Sequence, residues 1–184
     1  MVKPSDQERR YNLMCSHTGQ HLFATALESL VVLSDNSKMS TFQHHGGASH
    51  PSYFTLKAAF VGPAADQMNE NLGGFIQRLE EVCRGLIQKR IPISVWNTDV
   101  SKATKIKEVR YFPWEEYTEK VRTVCIGQVK PTSNDDGHVD ESVDFTSVIS
   151  AELCCGTHLS QLADLQDIAV IAVKGRQNTI KEVS

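Results

Sequence analysis

The sequence predicts an α+β fold: a two-layer sandwich in which a mostly antiparallel sheet packs against two long helices. Three observations predict it. Segments 6–34 and 64–90 repeat apolar residues at three- and four-residue steps, the period of a helix. Between and after them lie short runs rich in β-branched and aromatic residues, the composition of strands. Strands and helices follow one another in irregular order, not as βαβ units, which favours antiparallel pairing.

Length and composition set the frame. A chain of 184 residues fits one domain, 1–184, and buries about 70% of its unfolded surface without needing disulfides. Lys and Arg number 19 against 22 Asp and Glu, a formal net charge of -3, and hydrophobic residues make up 40%. These values exclude a disordered, collagen-like or membrane-spanning chain, and one that holds nucleic acid by bulk positive charge. The first ten residues have no apolar core of a secretory signal, so a cytoplasmic protein without a membrane anchor is expected.

The elements follow in order. Ser5 caps the first helix, whose stripe runs through Leu13, His17, Gln20/His21, Ala24, Leu27/Glu28 and Val31. Residues 39–52, with Gly46-Gly47 and Pro51, read as strand ends around a loop, and 53–61 as a strand closed by Gly62-Pro63. The second helix carries Met68, Leu72, Phe75/Ile76, Leu79, Val82/Cys83 and Leu86/Ile87, with a weak point at Gly73-Gly74. Strands are expected at 91–96, 121–126 and 148–154, and Lys102–Arg110 as a loop or short helix. Residues 128–144, with Pro131, Asn134-Asp135-Asp136-Gly137 and Asp140-Glu141, read as an exposed acidic loop insertion. Ile168–Val173 is an apolar run of the kind found in a central buried strand.

Five cysteines (Cys15, Cys83, Cys125, Cys154, Cys155) form an odd set with one adjacent pair, a poor disulfide framework. Free thiols or a metal site fit better. Cys15, Cys83 and Cys125 fall in apolar patterns and read as core thiols.

Two constellations carry chemistry. His17 and His21 are four residues apart on a predicted helix, which places both imidazoles on one face. Alone this pair is as readily a solvated helix face, and without a Glu after His17 it is not the metalloprotease HExxH pattern. Cys154-Cys155-Gly156-Thr157-His158 ends a predicted strand, with Gly156 permitting a tight turn. Thiolate and imidazole are preferred zinc ligands, at about 2.3 and about 2.0 Å. Together the two segments supply the four donors of a tetrahedral zinc site. Successive residues of an extended strand point to opposite faces, so one of Cys154 and Cys155 aims at the metal. His44, His45 and His50 sit in a Gly/Ser/Pro-rich stretch and read as exposed loop histidines. Trp96 and Trp114 read as packing residues.

His17-Thr18-Gly19-Gln20-His21, followed far downstream by Cys154-Cys155-Gly156-Thr157-His158, resembles the editing domain of alanyl-tRNA synthetases. It looks most like the free-standing alanyl-tRNA editing proteins (AlaX-type), with Glu152–Gln166 the closest stretch. The resemblance implies the editing-domain fold shared with threonyl-tRNA synthetases. It also implies a zinc-dependent hydrolase that acts in trans on the ester of mischarged tRNA(Ala), chiefly seryl-tRNA(Ala) and also glycyl-tRNA(Ala). By the matching positions His17, His21, Cys154 and His158 are the zinc ligands. Thr18, Gly156 and Thr157 are the candidate substrate contacts. No general base is implied. The partner implied is the acceptor end of the tRNA. Basic residues at Arg78, Arg84, Lys89, Arg90, Lys102, Lys105, Lys107, Arg110, Lys174, Arg176 and Lys181 are the candidates for phosphate contacts, each also readable as part of a solvated basic face. The alternative is a non-catalytic, zinc-containing tRNA-binding module.

Overall fold

The computed structural model describes residues 5–33, 41–61, 63–106, 109–133, 139–175 and 181–183. They form an α+β protein with one antiparallel and one mixed four-stranded sheet, a two-stranded ribbon and few helices. Two compact units divide the chain, 1–89 with 157–159 and 163–184, and 90–156 with 160–162.

The first unit opens with α1 (Asp6–Leu33). Ser5 caps it as expected: its hydroxyl accepts from the Glu8 N–H at 3.2 Å. From Thr18 to Leu27 every residue is buried, including Leu22, Phe23 and Leu27, so the helix is covered all round and not merely along one stripe. β1 (Thr41–Ser49) and β2 (Phe54–Val61) pair antiparallel. Gly46-Gly47 makes a bulge inside β1, not the loop its composition suggested: the register slips between His44 and Gly47 while pairing continues on both sides. Gly46 takes φ 85°, a left-handed value that favours glycine. At Gly47 a Cβ would lie 2.0 Å from the Thr55 carbonyl oxygen and 2.1 Å from Gln20 Nε2.

The second predicted helix is two. α2 (Pro63–Glu70) and α3 (Leu72–Gln88) meet at Asn71, whose side chain caps α3 by accepting from the Gly74 N–H at 2.9 Å. The break therefore falls at Asn71, ahead of Gly73-Gly74. α3 buries Phe75, Leu79, Cys83 and Ile87, four residues apart as helix geometry requires.

The second unit holds β3 (Ile93–Asp99), the single turn α4 (Val100–Ala103), β4 (Val109–Arg110) and β5 (Lys120–Gly127). It continues with β6 (Lys130–Ser133), β7 (Val139–Asp144) and β8 (Val148–Leu153). Strand order is β3-β5-β8-β4, antiparallel except for β4 against β8. Ala103, Val109, Val121, Cys125, Ala151 and Leu153 make its core, with Trp96 and Phe145 packed against it. The expected acidic loop is instead the ribbon β6–β7, with Pro131 opposite Val143. Residues 134–138, which include Asp135 and Asp136 of the expected insertion, lie outside the described residues.

In the first unit the chain ends in β9 (Val173–Lys174) and β10 (Lys181–Val183), giving the order β1-β2-β10-β9. The apolar run 168–173 is no central strand. Only Val173 joins a strand, at the sheet's edge, and Ile171 is 70% exposed. Side chains of α3 take the backbone groups that a strand would pair. Arg84 Nη2 donates to the Ile168 carbonyl at 3.1 Å and Glu80 Oε1 accepts from the Val170 N–H at 2.8 Å. No helix among the described residues is long and apolar enough to cross a membrane.

Candidate metal centre

α1 presents His17 and His21 one turn apart, with ring centroids 5.0 Å from each other. His158 closes on both, its ring 4.2 Å from that of His17 and 4.5 Å from that of His21. Cys154 is the first residue beyond β8. One ligand atom from each of His17, His21, Cys154 and His158 lies within 4.8 Å of the other three. His21 is buried and the others are half-buried. Cys155, its neighbour, is exposed and stands outside the cluster, as the alternation of an extended chain predicts.

The donor set fits a divalent metal. Ligands about 2.0–2.3 Å from one centre lie between three and four ångströms apart in a tetrahedron, inside the observed span. Three imidazoles and one thiolate suit zinc in chemistry and number. Thus the His17/His21/Cys154/His158 cluster can bind a metal ion. In the metal-free protein burial above all pushes the Cys154 thiol up, to about 11; Glu152 adds to this, while the Gly156 N–H and Arg122 oppose it. Coordination must therefore displace a proton from sulfur.

Thr18 is fully buried between the two histidines of α1. Its hydroxyl oxygen accepts from the Leu159 N–H at 3.0 Å and lies 3.3 Å from His158 Nδ1. When Nδ1 carries the proton and donates to that oxygen, Nε2 keeps its lone pair for a metal. Gly156 is half-buried and Thr157 exposed. One group that the sequence did not single out belongs here. Arg122 on β5 donates to the carbonyls of Cys154 and Gly156. Strand alternation marks it only as a partly exposed position.

The predicted basic set divides. Arg84 is engaged by Asp167 at 2.7 Å and Glu80 at 3.3 Å, and Arg110 by Glu152 at 3.5 Å. Arg78, Lys89, Arg90, Lys105 and Lys174 are exposed. Lys107 and Arg176, and the side chain of Lys181, lie outside the described residues. His44 and His45 are on β1, not in a loop, and His50 stacks on Tyr53 at 4.3 Å. Trp96 packs in the second unit's core, whereas Trp114 is 62% exposed. A cleft of about 200 Å³ in the first unit, bordered by Cys15, Gly19 and Tyr53, faces away from His17 and His21 across α1 and includes none of the four cluster residues.

The chain is similar over its length to alanine–tRNA ligases. It is 26% identical to that of Candida albicans over 183 residues, all of this chain. It is 26% identical to that of Schizosaccharomyces pombe over 97% of the chain, and 29% identical to that of Desulforamulus reducens over 87%. It spans only 14 to 17% of the length of these relatives. No protein-family model matches the chain.

Proposed function

We propose that the protein is a zinc-dependent aminoacyl-tRNA deacylase, hydrolysing the ester of mischarged tRNA(Ala) in trans, chiefly seryl-tRNA(Ala) and also glycyl-tRNA(Ala). The observation that carries the reading is the convergence of His17, His21, Cys154 and His158 within 4.8 Å. Similarity to a stretch of alanine–tRNA ligases supports a tRNA partner. In this reading residues 1–184 act as one editing domain of the two-layer sandwich type, in a cytoplasmic setting.

His17, His21, Cys154 and His158 would hold the ion. A bound zinc ion supplies positive charge that orients the 3′ end of the tRNA and stabilises charge developing on the ester carbonyl. An aminoacyl ester is already activated, so positioning it beside a water accounts for much of the rate. Gly156 and the exposed Thr157 hydroxyl shape the aminoacyl pocket, with Thr18 contributing beside them. Exposed Arg78, Lys89, Arg90, Lys105 and Lys174 are the candidates for phosphate contacts. One observation favours the second reading, a non-catalytic zinc-containing tRNA-binding module. Four protein ligands are the pattern of structural zinc sites, which keep no open position.

Metal analysis of the purified protein, paired with release of serine from seryl-tRNA(Ala), separates the readings. The expected result is one zinc per chain and deacylation, both lost in His17→Ala. Zinc and tRNA binding without deacylation would establish the binding module. Full zinc and full activity in His17→Ala would sink the metal assignment.

A further inference from the structure

The turn that carries Cys154 is held by one side chain, Arg122, 32 residues away in sequence. Cys154 continues the β5–β8 ladder by one rung, its N–H donating to the Arg122 carbonyl at 2.9 Å. The Arg122 side chain then returns to the same turn. Its Nη1 donates to the Cys154 carbonyl at 2.9 Å and to the Gly156 carbonyl at 2.7 Å. Inside the turn the Gly156 N–H points at Cys154 Sγ, 3.4 Å away.

These contacts leave the turn little freedom. A turn that has just left a sheet has carbonyls with no strand to pair with, and half-buried ones need a donor. A guanidinium nitrogen presents two N–H groups in a fixed plane, so one Nη1 can satisfy two carbonyls two residues apart. Because the donor is charged, both bonds are stronger than neutral ones. Arg122 is itself fixed, since its strand is paired on both sides, with Asn97 opposite it on β3 and the neighbouring Thr123 opposite Leu153 on β8. The sulfur is thus aimed by backbone that is clamped at both carbonyls.

We infer that Arg122 is a positioning residue for the Cys154 thiolate: by bridging the Cys154 and Gly156 carbonyls it presets the turn that delivers sulfur to a metal. This rests on the reading of Cys154 as a ligand. Groups that orient ligands from behind set metal affinity by about 10- to 100-fold, so the effect is within measurement.

The test uses the full chain with Co²⁺ as probe, because cobalt–thiolate coordination has its own charge-transfer absorption, separate from the ligand-field bands that imidazoles also give. Wild type is expected to show both, and Cys154→Ser to lose the thiolate band. Arg122→Ala is expected to bind Co²⁺ about tenfold or more weakly, with the thiolate band reduced against the ligand-field bands. Arg122→Lys, which keeps the charge, is expected to recover part of the affinity. If Arg122→Ala does not fold, Arg122→Gln takes its place with the same expected loss of thiolate band. A wild-type affinity and thiolate band in the folded Ala or Gln variant would overturn the role of Arg122 alone. A wild-type protein with no band sensitive to Cys154→Ser would overturn the ligand assignment, and the inference with it.

Discussion

At the scale of single residues, the His/Cys cluster is held by groups outside it. Thr18 shows how. Its oxygen faces the Leu159 N–H and His158 Nδ1, so the hydroxyl ties His158 to the helix that carries His17 and His21. Thr18→Val keeps the shape and removes the oxygen. It is expected to weaken zinc binding about tenfold, as loss of a ligand's hydrogen-bond partner does. It should also destabilise the protein by about 1–3 kcal/mol, since the buried Leu159 N–H loses its acceptor. Thr18→Ser should stay close to wild type in both respects. Chelator competition and urea unfolding check the pair; a Val variant matching wild type in both would show the hydroxyl to be idle. The four residues of the cluster were legible in the sequence because their types and spacing suit a metal site. Arg122 was not, because its role lies in carbonyls it meets through folding, and no spacing in the chain encodes that meeting.

At the scale of elements, what seats α1 against β1 and β2 is a close approach. Gln20 Nε2 donates to the Thr55 carbonyl at 3.0 Å, and the Ser49 hydroxyl donates to Gln20 Oε1 at 3.3 Å. Gly47 lies where both meet, with no room for a side chain. Gly47→Ala must push a methyl group against backbone, and overpacking of this kind costs about 1–3 kcal/mol. The expected outcome is a lower urea midpoint corresponding to that loss, together with weaker zinc binding if His21 of the cluster holds the ion, because Gln20 precedes it. An Ala variant as stable as wild type would mean that the bulge can yield. Composition pointed to a loop here because Gly-Gly is a turn signal. The paired residues on either side override it, since a bulge needs the same conformational freedom. The same logic explains 168–173. Its apolar run has the composition of a buried strand, but Arg84 and Glu80 on a helix distant in sequence take its backbone groups. At Asn71 the signal is local, a side-chain cap with its partner three residues on, but the composition of Gly73-Gly74 drew the expected weak point past it.

At the scale of the whole molecule, the class of fold was legible and its arrangement was not. Period and composition identified α1 and the strands β2, β3, β5 and β8. They could not distribute those strands between two four-stranded sheets, which depends on pairings between residues far apart in the chain. Global behaviour with pH follows from the thiols in both units. Burial pushes Cys83 and Cys125 up to about 12 and Cys154 to about 11. Unfolded thiols ionise near 9, so each raised value contributes stability that is fully present below pH 9 and lost as pH rises toward the folded value. The metal-free protein is expected to keep a constant urea midpoint from about pH 7 to 8.5 and to lose stability above 9. Cys125→Ala should make that decline shallower. A midpoint that stays flat up to about pH 11 would contradict the burial of these thiols.

The two adjacent cysteines face different surroundings, and that separation has a practical meaning. Of the five thiols only Cys155 is exposed. A thiol-directed reagent used sparingly meets it first, one residue from Cys154 yet outside the cluster. The protein thus carries its own attachment point for a fluorophore or spin label, close enough to register occupancy of the neighbouring centre and requiring no engineered residue.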